Sequence, residues 1–406
     1  MTEETSLLIE LTEQMLAAAR QAGAEAADAI AVSGSAIGID VRKGGLEQAE
    51  RSEATEIGLR VLLDHRQAIV SGSDLRAETL STMAERAVAM AKAAPEDAYC
   101  GLASPEQLAK DTDHTALELH DPTVEPEAAV LEQDALAAED AAQSVEGITQ
   151  IEAASAGYGR NQIWMQSSNG FSGGYCRSWR SLSCVSIAGT GTDMERDYDG
   201  DSRIFQSDVR HPEDIGKTAA TRTMARLGPR KPATGRFPVL FDERVSSSLV
   251  GHLLAAVNGA SIARGSSWLR DGLNTQVLPV GLSIIEDPHR ARVGGSRLFD
   301  GEGLATGRRV IVDQGVLTGW TLDLASARRL GLQSTANAAR GISAPPSPSS
   351  WNIELSSGHQ TREALIKDMG TGLLVTSLIG STINPTTGDY SRGASGLWVE
   401  NGAISH

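Results

Sequence analysis

The amino-acid sequence predicts an α+β, multi-domain fold with mixed or antiparallel sheets, flanking helices and a strand-rich C-terminal domain. The first observation is length: 406 residues with 40% hydrophobic content are enough for two or three domains with buried cores. The second is that segments with apolar residues at helical spacing are interspersed with short β-prone runs. The third is that glycine is abundant, at 42 residues, whereas aromatic residues make up 4%. This composition favours many short strands and turns around cores of small aliphatic residues.

An N-terminal α+β domain is predicted over residues 1–95. Apolar residues at helical spacing predict one helix over residues 6–21 and another over residues 75–94. Four strand-like runs lie between the two helices, at residues 29–32, 37–42, 57–63 and 67–71. A helix, a group of antiparallel strands and a second helix are typical of an α+β unit.

The remainder of the chain is divided by an acidic stretch and a proline-rich boundary. Residues 96–147 are predicted to form an acidic linker followed by a helix, and a linker with a solvated helix face is favoured over a site for a cation or a basic partner. Residues 148–230 are predicted to form a central strand-rich domain, which ends at the Gly-Pro-Arg-Lys-Pro segment 228–232. Residues 235–406 form the predicted C-terminal domain, in which a helix over residues 244–258 follows the first strand.

Charge and composition exclude several classes of function. The formal net charge is -16, from 36 basic and 52 acidic residues, and it repels nucleic-acid phosphates at long range. The three cysteines form no Cys-x-x-Cys motif, which indicates free thiols in a reducing compartment. The N-terminus lacks the basic segment of a secretory signal, and the apolar tracts are too short to cross a bilayer. We therefore expect a cytoplasmic protein with no direct nucleic-acid binding and no membrane association.

The most specific motif of the chain is the segment 383–404, INPTTGDYSRGASGLWVENGAI. It resembles the C-terminal signature of the TldD/PmbA family, the family of modulators of DNA gyrase, and its Gly-Asp-Tyr-Ser-Arg-Gly string is similar to that of the PmbA-type (TldE-type) branch. Other segments that are similar to family patterns are 299–303, 312–317 and 369–373. Family members continue beyond the position of His406, so the C-terminal domain is expected to be shortened at its end. The resemblance implies a two-subunit metalloprotease in which the TldD-type subunit carries the zinc.

The resemblance also implies where a zinc helix would lie, directly after the first strand of the C-terminal domain. In TldD-type subunits this helix carries HExxxH, whose two imidazoles bind Zn²⁺ and whose glutamate accepts a proton from the bound water. The corresponding positions here are His252, Leu253, Ala256 and Val257, so one histidine lies among aliphatic residues. We predict that this chain has no catalytic residue, no metal and no cofactor, that it is inactive alone, and that the zinc belongs to the partner. Sequence spacing leaves open a metal site assembled from distant residues.

A surface for peptides or partners is predicted in the glycine-rich C-terminal domain, where an unfolded peptide can add as a strand. Arg264 lies at a basic position after the zinc helix, and it is predicted either to contact a peptide carbonyl or a partner carboxylate, or to form an ordinary surface ion pair. The other candidate residues belong to the C-terminal signature: Asn384, Thr387, Asp389, Tyr390, Ser391 and Arg392. The alternative is that these six residues only build turns and interdomain contacts.

The resemblance and the degenerate zinc helix together predict a metal-free, PmbA/TldE-like subunit. Such a subunit is expected to pair with a TldD-like zinc protease subunit and to help it degrade or trim unstructured peptides. A homodimer is also compatible with the sequence. The alternative from another class is a self-associating regulator that binds peptides or proteins and has no proteolytic role. A protease with unusual ligands is the third interpretation.

Overall fold

The computed structural model describes residues 2–380 and 383–405, and the first half of the chain is built on one six-stranded antiparallel sheet. Its strands are β1 (Ala26–Arg42), β2 (Gly45–Leu63), β3 (Arg66–Gly72), β4 (Ile148–Ser167), β5 (Ser172–Ala188) and β6 (Glu195–Arg203). The accompanying helices are α1 (Glu3–Gln21), α2 (Ala77–Ala93), α3 (Ala128–Gln143) and α4 (Pro212–Met224). The strand order is β3-β2-β1-β4-β5-β6, so the pairing of β1 with β4 joins the segments before and after the acidic linker.

Strand β1 is continuous over 17 residues, whereas the sequence predicted two short runs within it. Residues 33–36, which separate those runs, pair with β2 on one side and with β4 on the other. A Cβ atom on Gly34 would collide with the side-chain oxygen of Asn161, so a larger residue at this point would require the Asn161 side chain to move. Small residues have low β-propensity, and pairing on both sides overrides that local preference.

The two faces of the six-stranded sheet have different partners. The helices cover one face, where alternating residues of β1 are buried: Ala27, Ala29, Ala31, Ile37, Ile39 and Val41. On the other face, Ile30 and Val32 pack in a cluster with Phe299 of the C-terminal domain. The sheet therefore carries the helices on one side and the C-terminal domain on the other.

The C-terminal domain contains small sheets and short helices. Its helices are α5 (Glu243–Ala256), α6 (Gly259–Ala263), α7 (Leu324–Leu330) and α8 (Arg362–Met369). The first four-stranded sheet consists of β8 (Ile284–Glu286), β9 (Arg309–Asp313), β10 (Val316–Leu317) and β13 (Ile353–Leu355). A two-stranded sheet pairs β11 (Ala338–Ala339) with β12 (Ser347–Pro348). The second four-stranded sheet consists of β7 (Val239–Phe241), β14 (Gly372–Ile379), β15 (Gly393–Glu400) and β16 (Ala403–Ile404), in the order β16-β15-β14-β7.

A buried ionic contact fixes the C-terminal domain on the six-stranded sheet. Arg340 donates a hydrogen bond from its Nε to Asp28 of β1 at 2.9 Å, and Arg60 of β2 binds the same carboxylate. Burial alone would raise the pKa of Asp28, but the two guanidinium groups hold it below its ordinary value. The carboxylate is therefore charged and bridges the two parts of the chain.

The predicted α+β, multi-domain fold with a strand-rich C-terminal domain is confirmed. The exact domain boundaries stay predictions. The sequence did not predict that the N-terminal domain (1–95) and the central domain (148–230) share one sheet. Within residues 2–380 and 383–405, no helix combines the length and the apolar character needed to cross a bilayer.

Candidate functional site

Helix α5 corresponds to the predicted zinc helix, and it presents the degenerate positions to the protein interior. Asp242 caps the helix by accepting a hydrogen bond from the backbone N–H of Arg244 at 3.2 Å. Leu253 and Ala256 are buried in the core of the C-terminal domain, and Val257 directly after the helix is fully buried there. The positions at which a zinc subunit would carry its glutamate and second histidine are therefore core positions here.

His252 contacts an aromatic ring. It is half-buried, and its imidazole centroid lies 5.5 Å from that of Tyr390, with an interplanar angle of 63°. Its Nε2 atom is buried and has no hydrogen-bond partner among the described residues. Across residues 2–380 and 383–405, no three His, Cys, Asp or Glu side chains are grouped so that they could hold a metal ion. These residues therefore do not fit a hydrolytic zinc site, which needs three protein ligands.

The segment 383–392 forms a hairpin turn that uses the polar groups of several predicted site residues. The side-chain oxygen of Asn384 accepts hydrogen bonds from the backbone N–H groups of Thr386 at 2.9 Å and Thr387 at 3.2 Å. The Asn384 N–H donates to the Asp389 carbonyl at 2.8 Å. The Thr387 hydroxyl donates to the Asp389 carboxylate at 2.7 Å. Asn384, Thr387 and Asp389 thus build the turn, as the alternative interpretation proposed, and their side chains remain exposed at the surface.

Trp268 supports this hairpin, although no sequence pattern indicated a role for it in the site. Its backbone N–H donates to the carbonyl of Pro385 at 2.9 Å. Gly388 has a φ of +79°, and a Cβ atom there would lie 3.1 Å from the Trp268 side chain. The close approach of glycine to the indole holds the turn against the segment that follows α6. An exposed loop of this kind is positioned by the rigid scaffold beneath it.

Arg264 lies apart from the other predicted site residues. It is exposed after α6 and lines a small cavity of about 100 Å³ together with Asp97, Tyr99, Asp323 and Arg329. Its side chain forms no ion pair or hydrogen bond with the residues that the structure describes. The ordinary surface ion pair that was one of its two predicted roles is therefore not formed within this part of the chain.

Ser391 and Arg392 leave the hairpin and lead into β15, and Arg392 lines a cleft of about 360 Å³. Ser391 is exposed and Arg392 is half-buried. Three elements enclose the cleft: β6, the first turns of α5, and the C-terminal half of β14. The other residues that line it are Asp197, Tyr198, Arg244, Val245, Ser248, Thr376, Ser377 and Leu378. Of these residues, only Arg392 was predicted from the sequence as part of the candidate site, because the others come from distant segments.

The two arginines of this cleft differ in their electrostatic partners. Arg244 donates to the Asp197 carboxylate at 2.8 Å, and its Nε lies 3.5 Å from the Asp242 carboxylate. Burial disfavours its charged form, but the hydrogen bond and charge of Asp197, with the charge of Asp242, raise the pKa of Arg244 above its ordinary value. Arg392 forms no ion pair with any described residue, and its Nε is buried without a hydrogen-bond partner. The charge of Arg244 is thus compensated, whereas that of Arg392 is not.

A pair of carboxyl groups lies in the segment 299–303, at the interface with the six-stranded sheet. The Asp300 carboxylate is buried and accepts hydrogen bonds from the N–H groups of Glu302, Leu304 and Ala338 at 2.9 to 3.0 Å. Glu302 is half-buried and accepts from the Leu324 N–H at 2.8 Å. Burial raises the pKa of Asp300 to about 6 although these hydrogen bonds oppose it, and burial and the charge of Asp300 raise the pKa of Glu302. Both carboxyls therefore retain their protons to a higher pH than exposed carboxyls do.

Comparison with protein families agrees with this architecture. The model of PmbA/TldA metallopeptidase domain 1 matches residues 27–91, that of the central domain matches residues 119–227, and that of the C-terminal domain matches residues 234–406. The chain therefore belongs to the PmbA/TldD family of metallopeptidases, which confirms the resemblance carried by its motifs.

Curated relatives match the chain along most of its length. Over 392 residues it is 38% identical to Metalloprotease PmbA of Escherichia coli O157:H7, an alignment that covers 96% of this chain and 84% of the relative. It is 36% identical over 392 residues to the Metalloprotease PmbA homolog of Haemophilus influenzae, with the same 96% and 84% coverage.

Solved structures share the whole fold. A Bacteroides thetaiotaomicron protein that was solved as a candidate modulator of DNA gyrase has a TM-score of 0.90 and 26% identity, covering 100% of this chain and 89% of that one. TldE from Thermococcus kodakarensis has a TM-score of 0.84 over 97% of this chain and 89% of that one. Its 17% identity supports similarity of fold alone.

Proposed function

We propose that this chain is the metal-free, TldE-like subunit of a cytoplasmic TldD/TldE-type metalloprotease complex. In this complex a zinc-bearing partner hydrolyses unstructured peptides. The observation that carries the proposal is the orientation of α5, which buries Leu253 and Ala256 in the core. His252 is then the sole imidazole that the helix offers, and it contacts Tyr390. One histidine without a neighbouring ligand or general base cannot generate a zinc-bound hydroxide.

The role of this chain is to help form the chamber in which the partner acts on peptides. Two features support this role. The hairpin 383–392 projects exposed polar side chains next to α5, and the edge of the adjacent sheet offers backbone groups to an extended peptide. Main-chain hydrogen bonds give affinity with little sequence preference, which suits unstructured substrates.

The test is to purify the full chain alone and after co-expression with a TldD-type subunit, and to compare zinc content and hydrolysis of unfolded casein. After dialysis we expect less than about a tenth of an equivalent of zinc in the isolated chain and about one equivalent per heterodimer, because a well-formed zinc site retains its metal. Hydrolysis is expected from the heterodimer and not from the chain alone.

The matched control is a heterodimer in which the glutamate of the partner's HExxxH is replaced by glutamine, which is expected to assemble without hydrolysing casein. Stoichiometric zinc together with casein hydrolysis by the isolated chain would overturn the proposal. A stable homodimer that does not associate with the TldD-type subunit would instead support the self-associating regulator.

A further inference from the structure

We propose that the cleft around Arg392 binds the terminal carboxylate of an extended peptide whose backbone pairs with the free edge of β14. The inference rests on the proposed function, since it takes unstructured peptides to be the ligands. Three features of the cleft support this assignment: a free strand edge, a guanidinium group without a carboxylate partner, and hydroxyl groups that remain available as hydrogen-bond donors.

The free edge arises because the two neighbours of β14 differ in length. On one side β15 pairs with β14 from Gly372 to Ile379. On the other side β7 pairs in parallel with residues 373–375 only, and the Asp242 N–H then donates to the Val375 carbonyl at 2.9 Å. Beyond that point, no strand in the described part of the chain pairs with this edge of residues 376–379. Unpaired backbone groups of this kind are a template for an added strand.

The cleft lies directly at this free edge, since Thr376, Ser377 and Leu378 of β14 form part of its lining. The pairing of β14 with β15 shifts in register between Val375 and Ser377, so Thr376 lies at an irregularity. Such bulges bend a strand and redirect its side chains next to binding sites. The volume of about 360 Å³ is at the lower end of the roughly 300–1,000 Å³ of small-molecule pockets. It therefore suits the end of a peptide rather than a folded partner.

The uncompensated positive charge of Arg392 in the cleft favours the negatively charged end of a peptide. Arg244 is neutralised by Asp197 and Asp242, whereas Arg392 has no carboxylate partner among the residues described. The buried Nε of Arg392, like that of Arg244, lacks a hydrogen-bond acceptor, and an unsatisfied buried donor is unfavourable. A carboxylate supplies the acceptors and the charge that this guanidinium lacks, since arginine and carboxylate geometries match.

Hydroxyl groups complete the site. The Ser248 hydroxyl donates within α5, to the Val245 carbonyl at 2.7 Å, so it retains acceptor capacity only. The hydroxyls of Thr376 and Ser377 form no hydrogen bond with other described residues, so they remain available as donors. An extended peptide that pairs with residues 376–379 can therefore place its final carboxylate between Arg392 and these hydroxyls.

The experiment measures, by fluorescence anisotropy on the full chain, the binding of two labelled flexible peptides that differ only at the C-terminus, as free acid or as amide. We expect the acid to bind the wild-type chain at least about tenfold more tightly, because an arginine–carboxylate hydrogen bond contributes on this order. Arg392→Gln is expected to remove the difference, and Arg392→Lys to retain part of it. The matched control is Arg308→Gln, which replaces an exposed arginine of the same domain outside the cleft.

Equal binding of acid and amide by the wild-type chain, or no binding of either, would overturn the inference. The inference would also be wrong if Arg392→Gln, verified as folded by circular dichroism, still bound the acid peptide more tightly than the amide by the wild-type factor. Should Arg392→Gln fail to fold, the ratio of acid to amide affinity for the wild-type chain and for Arg392→Lys still tests the inference. An amidated peptide with a final aspartate that bound as tightly as the acid would overturn the assignment to the chain terminus. Casein hydrolysis by the heterodimer tests the proposed function separately, because it does not depend on this difference.

Discussion

The imidazole of His252 and the phenol ring of Tyr390 lie edge to face, with their centroids 5.5 Å apart and their planes inclined by 63°. His252 projects from α5, whereas Tyr390 belongs to the hairpin 383–392, so this contact fixes the hairpin on the helix. The histidine at the zinc-helix position therefore has a structural partner. The segment 383–392 around Tyr390 therefore lies directly over α5, the helix that the resemblance places at the zinc position.

The contact between His252 and Tyr390 is expected to contribute a measurable coupling free energy to the stability of the fold. A double-mutant cycle with His252→Ala, Tyr390→Ala and the double variant should give a coupling free energy of about 0.5–1.5 kcal/mol, as for other aromatic pairs. The measurement is the free energy of unfolding from urea denaturation. Tyr390→Phe is the matched control, because it keeps the ring, and it should change stability by less than about 0.5 kcal/mol. A coupling indistinguishable from zero would show that the two rings are merely adjacent.

Introducing the family's glutamate at position 253 is expected to destabilise the fold rather than to create a zinc site. Leu253 is 7% exposed and packs in the core of the C-terminal domain, so Leu253→Glu would place a carboxyl group among aliphatic side chains. We expect a loss of at least about 3 kcal/mol in the free energy of unfolding. The measurement is urea denaturation with zinc analysis of the folded fraction.

Leu249 is the matched control for that substitution. It lies on the same helix but is 38% exposed, so Leu249→Glu should cost less than about 1 kcal/mol. If Leu253→Glu were as stable as Leu249→Glu and retained zinc after dialysis, position 253 of α5 could not face the core of the C-terminal domain.

Elements with strong local patterns could be predicted from the sequence. The spacing of apolar residues in α1, α2 and α5 located each helix to within a few residues of its observed ends. A turn over residues 383–392 was one of the two predicted roles of this segment, and Asn384 indeed accepts two backbone hydrogen bonds there, as Asn commonly does in tight bends. Local chemistry was sufficient for these features.

The Arg392 cleft could not be predicted, because its residues come from positions far apart in the chain. Asp197, Arg244 and Thr376 are brought together only by the packing of β6, α5 and β14. The free edge of β14 is equally invisible in the sequence, since it depends on how far β7 extends beside it. Trp268 was missed for the same reason, because its contact with Gly388 spans more than a hundred residues.

Gly388→Ala is expected to loosen the hairpin through its contact with Trp268. The residue has a φ of +79°, and a Cβ atom would lie 3.1 Å from the indole. The backbone conformation alone should cost about 1–2 kcal/mol for an L-residue. Gly380 is the matched control, since it has the same φ of +79°, and among the described residues no atom outside its chain neighbours lies within 4 Å of an added Cβ. Thermal unfolding should therefore show a lower midpoint for Gly388→Ala than for Gly380→Ala, and equal midpoints would remove Trp268 as a support of the hairpin.

The Asp300–Glu302 pair predicts a loss of stability as the pH rises. Burial raises the pKa of Asp300 from 3.8 to about 6 and also raises that of Glu302, so the native state binds more protons than the unfolded state. The contribution of this pair to the free energy of unfolding should therefore fall from about pH 4 through pH 6, by up to about 3 kcal/mol for Asp300. Glu302→Gln removes one of the two charges, while its amide oxygen can still accept from the Leu324 N–H.

Glu302→Gln is accordingly expected to match the wild-type chain near pH 4 and to exceed its free energy of unfolding at pH 8 by at least about 1 kcal/mol. Urea denaturation at several pH values measures both quantities. Glu146→Gln is the control, because Glu146 is exposed before β4, and its pH profile should follow that of the wild type. If Glu302→Gln and the wild type lost stability in parallel between pH 4 and pH 8, the buried pair would not be the source of the pH dependence.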